Sequence, residues 1–351
     1  MSEEPAPPQP QPAPRGGRPG RPDRSLVLAI AAVAALVVVA SLAGLGASQL
    51  ARPAPTAAPT APPTPTPTEP PDTGPLVFRQ PLTAGCAAGD AVYVVSDGGG
   101  IGRFDFDRWQ LIDPTLRSLV AAACTGDRVF AVGGGGRVVT IDDRAQTVRS
   151  DAVQLDDLFG IALLRDGALA VGGRGSVVRQ TPGGWIPYAQ GIDEDLRAIA
   201  AFTATSAWAV GAGGVSYRLE PEGWRPIPTG VTGELRAIAA ASADDAVAAG
   251  DDGVILVWSG RWVRADTGLP LRGAYRVALR VGDTTYLAGD AGALVRLAPG
   301  AGPAVVPLGT TCTLRGLFAV AGRVWVVGSD GDRGAVWRLG PDGAMRWGEC
   351  P

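Results

Sequence analysis

Arginine carries most of the chemistry this chain can do. All 31 basic residues are arginines, against 34 acidic residues, and the chain has no lysine, histidine or asparagine. A guanidinium offers five donors in a fixed fork and binds carboxylate or phosphate in a bidentate manner. Arg197, Arg236, Arg276 and Arg315 each stand at the second place of an apolar segment, and Arg117 sits near the same place in an earlier copy. If like places in successive copies stand side by side, these five form one cationic surface for an acidic partner. The plainer reading is that Glu194, Asp195 and Glu234, which lie beside them, neutralise them.

The missing residue types exclude much else. Without histidine there is no Ser-His-Asp or Cys-His nucleophile and no imidazole-bound metal. Without lysine there is no Schiff base and no phosphate-loop lysine. A net charge of −3 gives no footprint for nucleic acid. The acidic turns GDDG (Gly250–Gly253) and SDGDRG (Ser329–Gly334) lack the full ligand ladder of a calcium loop. No spacing singles out two carboxylates for glycoside cleavage. No catalytic residue, metal site or cofactor is expected, and the chain reads as a non-enzyme.

The elements that position these residues are repeats. A short apolar strand ends in glycine at Gly133, Gly172, Gly211, Gly250, Gly289 and Gly328, with Ser96 in the first copy, and the spacings are 37 and then 39 five times. A second glycine always follows three places later, at Gly99, Gly136, Gly175, Gly214, Gly253, Gly292 and Gly331. The pair reads as a tight turn, because glycine accepts positive φ at no steric cost. Before it lies an apolar strand such as LRAIAA (Leu196–Ala201). After it comes an alternating strand such as VSYRLE, a P-x-G turn and a fourth strand starting at Trp224. Four short strands per unit and no helical period predict an all-β, seven-bladed β-propeller of four-stranded blades over residues 76–351. The arginines then ring the channel mouth.

Two further features follow the period. Arg103, Arg179, Arg218 and Arg296 lie four places after the second glycine, and Arg338 joins them if three residues are inserted after Gly328. Trp109, Trp185 and Trp224 follow six places later, so a hairpin centred between them is expected to set Arg opposite Trp as blade packing. The indoles lining a sugar site is the alternative. The four cysteines allow three pairings. Cys86 and Cys124 are 38 residues apart, as are Cys312 and Cys350, so each pair is one blade period apart. This predicts Cys86–Cys124 between blades one and two, and Cys312–Cys350 tying the last strand to blade seven. Every copy carries its own fourth strand, so the ring is not expected to close by sharing strands between its ends.

Residues 1–25 are rich in Pro, Gly and Arg and read as a disordered tail. Leu26 to Ala47 is uncharged and mostly apolar, long enough as a helix to cross a bilayer of roughly 30 Å. A cleaved signal peptide is the rival, with a usual apolar stretch of about 7–15 residues. Arg15, Arg18, Arg21 and Arg24 precede the run and only Arg52 follows closely, which places the N-terminus in the cytoplasm. Residues 48–75 form a Pro/Thr/Ala stalk, a semi-rigid spacer reaching up to roughly 80 Å. The expectation is a single-pass protein of the bacterial cytoplasmic membrane, its propeller on the extracytoplasmic side.

The repeat AVGxxGxVxRxxxxGW resembles the photosystem II assembly and stability factor family of β-propellers, related to the BNR or sialidase-like repeats. The resemblance spans 76–351. It implies a non-enzymatic assembly factor that uses an arginine-rich propeller face for its partner. True BNR repeats carry S-x-D-x-G-x-x-W, whereas the turns here read TPGGW and EPEGW without the Asp. Together these readings point to a protein-binding or assembly module. A carbohydrate-binding or carbohydrate-cleaving propeller is the alternative, and a sensor ectodomain the third.

Overall fold

The computed structural model describes residues 80–350 apart from 99, 113–117, 154–155, 189–190, 270–272, 342 and 349. The tail, the apolar run, the stalk and Arg117 lie outside the described residues. These residues fall within the compact unit Pro70–Pro351. Among them no helix is long and apolar enough to cross a membrane.

The 28 strands form seven four-stranded antiparallel sheets, each made of four consecutive strands. The seven-bladed propeller is therefore as the period predicts. The first strand of each blade is innermost and lies beside those of the neighbouring blades; Leu82–Ala88 of blade one meets Thr313–Val320 of blade seven to close the ring. Among the described residues no strand crosses from one blade into another. Closure rests on packing, for one core cluster joins Leu82, Val92, Val94 and Phe104 of blade one to Phe318, Trp325, Val327 and Val336 of blade seven. A Cβ on Gly316 would lie 3.0 Å from Ala84 Cα, so the two inner strands approach as closely as glycine permits.

Blades are sandwiched between neighbours, so both faces of the second strands are covered, as in Ala91–Ser96 and Ser206–Gly211. Ser216 sits on the face of Arg218 in the alternation, yet it is buried and accepts a hydrogen bond from Trp262 Nε1 of blade five at 2.9 Å.

The glycine pair does two different things. The second glycine has the expected positive φ, from 65° at Gly136 to 74° at Gly214, and closes a short 3-10 turn in blades two to six. The first glycine does not: at Gly133, Gly172, Gly211, Gly250 and Gly289 the backbone is extended. What it supplies is room. A Cβ there would lie 1.6 to 2.0 Å from the carbonyl oxygen of the residue before the inner strand: Ser118, Asp157, Asp195, Glu234 or Ala274. That carbonyl accepts a hydrogen bond from the amide following the glycine, at 2.8 to 3.0 Å.

The arginine–tryptophan pairing is corrected by the register. Arg103 pairs with Gln110, Arg179 with Ile186 and Arg218 with Arg225, while the tryptophans pair with Phe104, Gln180 and Leu219. The hairpin centre falls half a residue later than the midpoint of Arg and Trp, and a one-residue slip sends a side chain to the opposite face. The arginines instead face the second strand. Arg218 is opposite Trp208 and lies 5.5 Å from its ring centre; Arg338 is opposite Trp325 at 5.8 Å. Arg103 is opposite Tyr93 and also donates to Asp143 of blade two at 2.8 Å. The outer tryptophans pack inward, Trp109 stacking on Phe104 and Trp185 meeting Phe130 of blade two edge-on.

Both disulfides form as the spacing predicts. Cys86–Cys124 joins the inner strands of blades one and two, and Cys312–Cys350 joins the residues just before and just after the strands of blade seven.

Two outcomes are expected. Gly250→Ala forces a methyl onto the Glu234 carbonyl and should cost about 3 kcal/mol, whereas Gly302→Ala should stay within about 0.5 kcal/mol in urea denaturation. Replacing Cys312 and Cys350 together with serine opens a closed loop of some 38 residues and should cost about 2–4 kcal/mol, with faster amide exchange in the strand Gly343–Gly348.

Candidate functional site

The close approach at the first glycine has a consequence at the channel mouth. In every blade the inner strand slips register against the second strand just after a fully or nearly fully buried Leu or, in blade six, Tyr275. One residue is left out of the ladder. Those residues are Thr83, Val120 and Phe159 in blades one to three and Arg197, Arg236, Arg276 and Arg315 in blades four to seven. A bulged residue leaves the regular alternation and is re-aimed. All seven line one cavity at the axis.

The mouth is thus divided into an arc of four contiguous guanidinium groups and an arc of one hydroxyl and two apolar side chains. Four of the five sequence-predicted arginines come together here. The fifth, Arg117, lies outside the described residues, and the register gives its blade's mouth position to Val120. Thr83, Val120 and Phe159 escaped the search for charge, although each follows the buried leucine that precedes Arg197, Arg236 and Arg315. Adjoining the mouth, a cavity of about 240 Å³ is lined by the same four arginines and by inner-strand residues such as Ala121, Ile161, Ala198, Ile238 and Leu317.

Three of the arginines are already compensated. Arg197 donates through Nε to Glu234 and forms an ion pair through Nη2 with Asp195 at 3.2 Å, and its guanidinium lies 4.3 Å from the ring centre of Phe159. Arg236 bonds Glu234 and, through Nε, Asp251 at 2.7 Å. Arg276 bonds both oxygens of Asp290. The carboxylates come from two places in the repeat: the residue before the inner strand (Asp195, Glu234) and the residue after the first glycine (Asp251, Asp290). Glu194 takes no part, because it accepts from the Tyr217 hydroxyl at 2.8 Å. Burial, then the bond to Glu194, pushes the Tyr217 pKa up to about 12.

Arg315 differs. Blade seven has Thr313 and Ser329 where blade five has Glu234 and Asp251, so among the described residues no carboxylate pairs with it. Its side chain reaches solvent, yet protein surrounds the head closely enough that burial, then the positive charge of Arg276, lowers its pKa against the pull of Asp290 and Asp97.

One of the two acidic turns belongs to the same network. Asp251 of GDDG holds Arg236, and SDGDRG forms the extended hairpin of blade seven. Among the described residues no three Cys, Asp or Glu side chains gather as metal ligands would.

Comparison with known proteins gives the fold. No protein-family model matches the chain, and no curated protein matches it in sequence. Solved structures do. The WD40 β-propeller domain of Doa1 is similar with a TM-score of 0.63 at 11% identity over 77% of this chain and 93% of that one. U3-55K is similar with a TM-score of 0.62 at 15% identity over 79% and 99%, and the WD40 repeats of RRP9 with 0.61 at 13% over 79% and 97%. At this identity the likeness is one of fold alone. The G-H element of the WD40 signature is absent, for the chain has no histidine. The same blades are here built on the glycine pair.

Burial raises the Asp290 pKa, but the bonds from Arg276 and the Ala274 amide, with the charges of Arg276 and Arg315, outweigh it and hold the carboxyl below its ordinary 3.8. A folded-state pKa below the unfolded one contributes stability above the unfolded value that is lost as pH falls through the lower one. Thermal midpoints measured from about pH 5 to about pH 2.5 should therefore fall less steeply for Asp290→Asn than for the parent.

Proposed function

We propose that the chain is a non-enzymatic protein-binding or assembly module of the bacterial cell envelope. In this reading Leu26–Ala47 holds it in the cytoplasmic membrane with the N-terminus inside, and the propeller stands on the extracytoplasmic side. Two disulfides fit an oxidising compartment. A propeller offers a rigid ring on which function sits in particular side chains and loops. The observation that carries the proposal is the mouth itself: one re-aimed residue from each of seven blades converges on the axis, and four of them are guanidinium groups. The resemblance of the glycine repeat to the photosystem II assembly factor family points the same way.

One observation favours the carbohydrate-binding alternative. A groove of about 830 Å³ at the outer strands of blades four and five is lined by Trp258, Trp262, Arg218, Arg225 and Asp244, a mixture of indole faces and hydrogen-bonding groups.

The test uses the full chain, cross-linked in native membranes and recovered by affinity tag. Replacing Arg197, Arg236, Arg276 and Arg315 together with alanine should remove a partner that the parent chain retains. An unchanged set of partners overturns the mouth as the binding surface. Retention by a glycan array that depends on Trp258 would instead support the carbohydrate reading.

A further inference from the structure

The rim of the propeller carries an edge that the mouth does not use. The fourth strand of a blade has a neighbour on one side only, so every second residue turns its N–H and C=O outward as a template for another strand. Five of the outer strands are blunted by shortness or by proline. Trp109–Leu111, Trp262–Arg264 and Ala304–Val305 have three, three and two residues, and Gly184–Pro187 and Gly223–Pro226 end in proline. In blade seven Gly343–Gly348 carries glycine at both ends, and Arg346 folds back onto the Cys350 carbonyl. Blade two differs. Its outer strand Thr147–Ala152 runs for six residues without glycine or proline, and all but the partly exposed Asp151 are fully exposed.

Register fixes which backbone groups of that strand are free. Val153 N–H donates to Gly136 O at 3.0 Å, and the ladder continues the same parity, so Thr147, Arg149 and Asp151 turn their backbone groups to the third strand Arg137–Asp142. Val148, Ser150 and Ala152 turn theirs to solvent. Arg149 and Asp151 share a face and form an ion pair at 2.9 Å. A groove of about 420 Å³ between blades two and three, reaching Gln180 and Trp185, leaves that face uncovered.

We infer that Thr147–Ala152 pairs with the same strand of a second copy of this chain, antiparallel about a two-fold axis at Ser150. The strand is complementary to its own reverse. An axis at Ser150 sets Ser150 against Ser150 and Val148 against Ala152, the residues whose backbone groups are free, and each facing pair exchanges two hydrogen bonds. It also sets Arg149 against Asp151 of the copy at the intervening places, where opposed side chains approach most closely, and symmetry repeats the pair. Each guanidinium then lies between its own Asp151 and that of the copy. The neighbouring registers of the same parity centre on Arg149 or on Asp151 and set like charges opposite, which disfavours them. The interface is isologous and closed, so it yields a dimer and no fibre. It lies on outer strands and is independent of the mouth, so either can fail without the other.

The experiment follows the full chain in detergent micelles by sedimentation equilibrium. The parent should show a reversible monomer–dimer equilibrium. Arg149→Asp and Asp151→Arg each set like charges opposite and should weaken the dimer about tenfold or more. Mixed in equal amounts, these two variants complement each other at both places, and a heterodimer of about the parent's affinity should form. Ser150→Pro removes an N–H that the blade does not use, and should abolish the dimer. Thermal midpoints near the parent's show that the variants are folded, and the charge variants carry the test if Ser150→Pro is not. A parent chain that stays monomeric, a dimer that survives Arg149→Asp, or two variants that do not associate on mixing overturns the inference. A monomeric chain whose edge takes up a strand of another protein overturns it as well.

Discussion

The structure depends on a backbone contact too short for a side chain. In blades two to six the carbonyl before the inner strand lies where a Cβ of the first glycine would be, and it accepts a hydrogen bond from the next amide. Blade one makes the same bond, from the Asp97 amide to Pro81 O at 3.1 Å, with Ser96 in the glycine's place. In blade seven the strands Arg323–Asp330 and Arg333–Gly340 continue as a longer hairpin instead. At this end of each blade the inner strand slips by one residue against the second, and the mouth is made of those slipped residues. In blades two to six the contact and the slip lie at the same end of the blade, while blades one and seven slip without it.

Electrostatics at the mouth follow from two positions in the repeat. Where both the residue before the inner strand and the residue after the first glycine are acidic, as in blade five, the arginine is bonded on two sides. In blade six one is acidic and the arginine is bonded on one side, and in blade four, where Asp195 alone is acidic, Arg197 takes a second partner in Glu234 of blade five. Where neither is, as in blade seven, it is left without an acceptor among the described residues. Ion pairs at partly exposed sites contribute only up to about 1 kcal/mol each. They matter more for selection than for stability, because they decide which guanidinium is available.

Ring closure is a matter of packing and cross-linking. Blades one and seven meet through a mixed aromatic and aliphatic cluster in which Phe104 lies 5.5 Å from Trp347. The two disulfides flank this junction in the chain, one joining blade one to blade two and the other fastening the last strand of blade seven. Trp185 packs across to Phe130 of the neighbouring blade, and Arg218 and Arg338 lie over the second-strand aromatics Trp208 and Trp325.

By itself the sequence determined the number of blades, the strand that lies innermost and both cysteine pairings, because each is written as a distance along the chain. The glycine pair was visible for the same reason, though only half its purpose was. Positive φ is a local property and could be read at the second glycine; the room made by the first is a distance between strands. Tertiary structure alone decided that Arg218 faces Trp208 and not Trp224, that Val120 stands in the mouth, and that Glu194 bonds a tyrosine. The first turns on a register offset of half a residue in the hairpin centre, and register is set by hydrogen bonds between strands, which neither residue type nor spacing specifies.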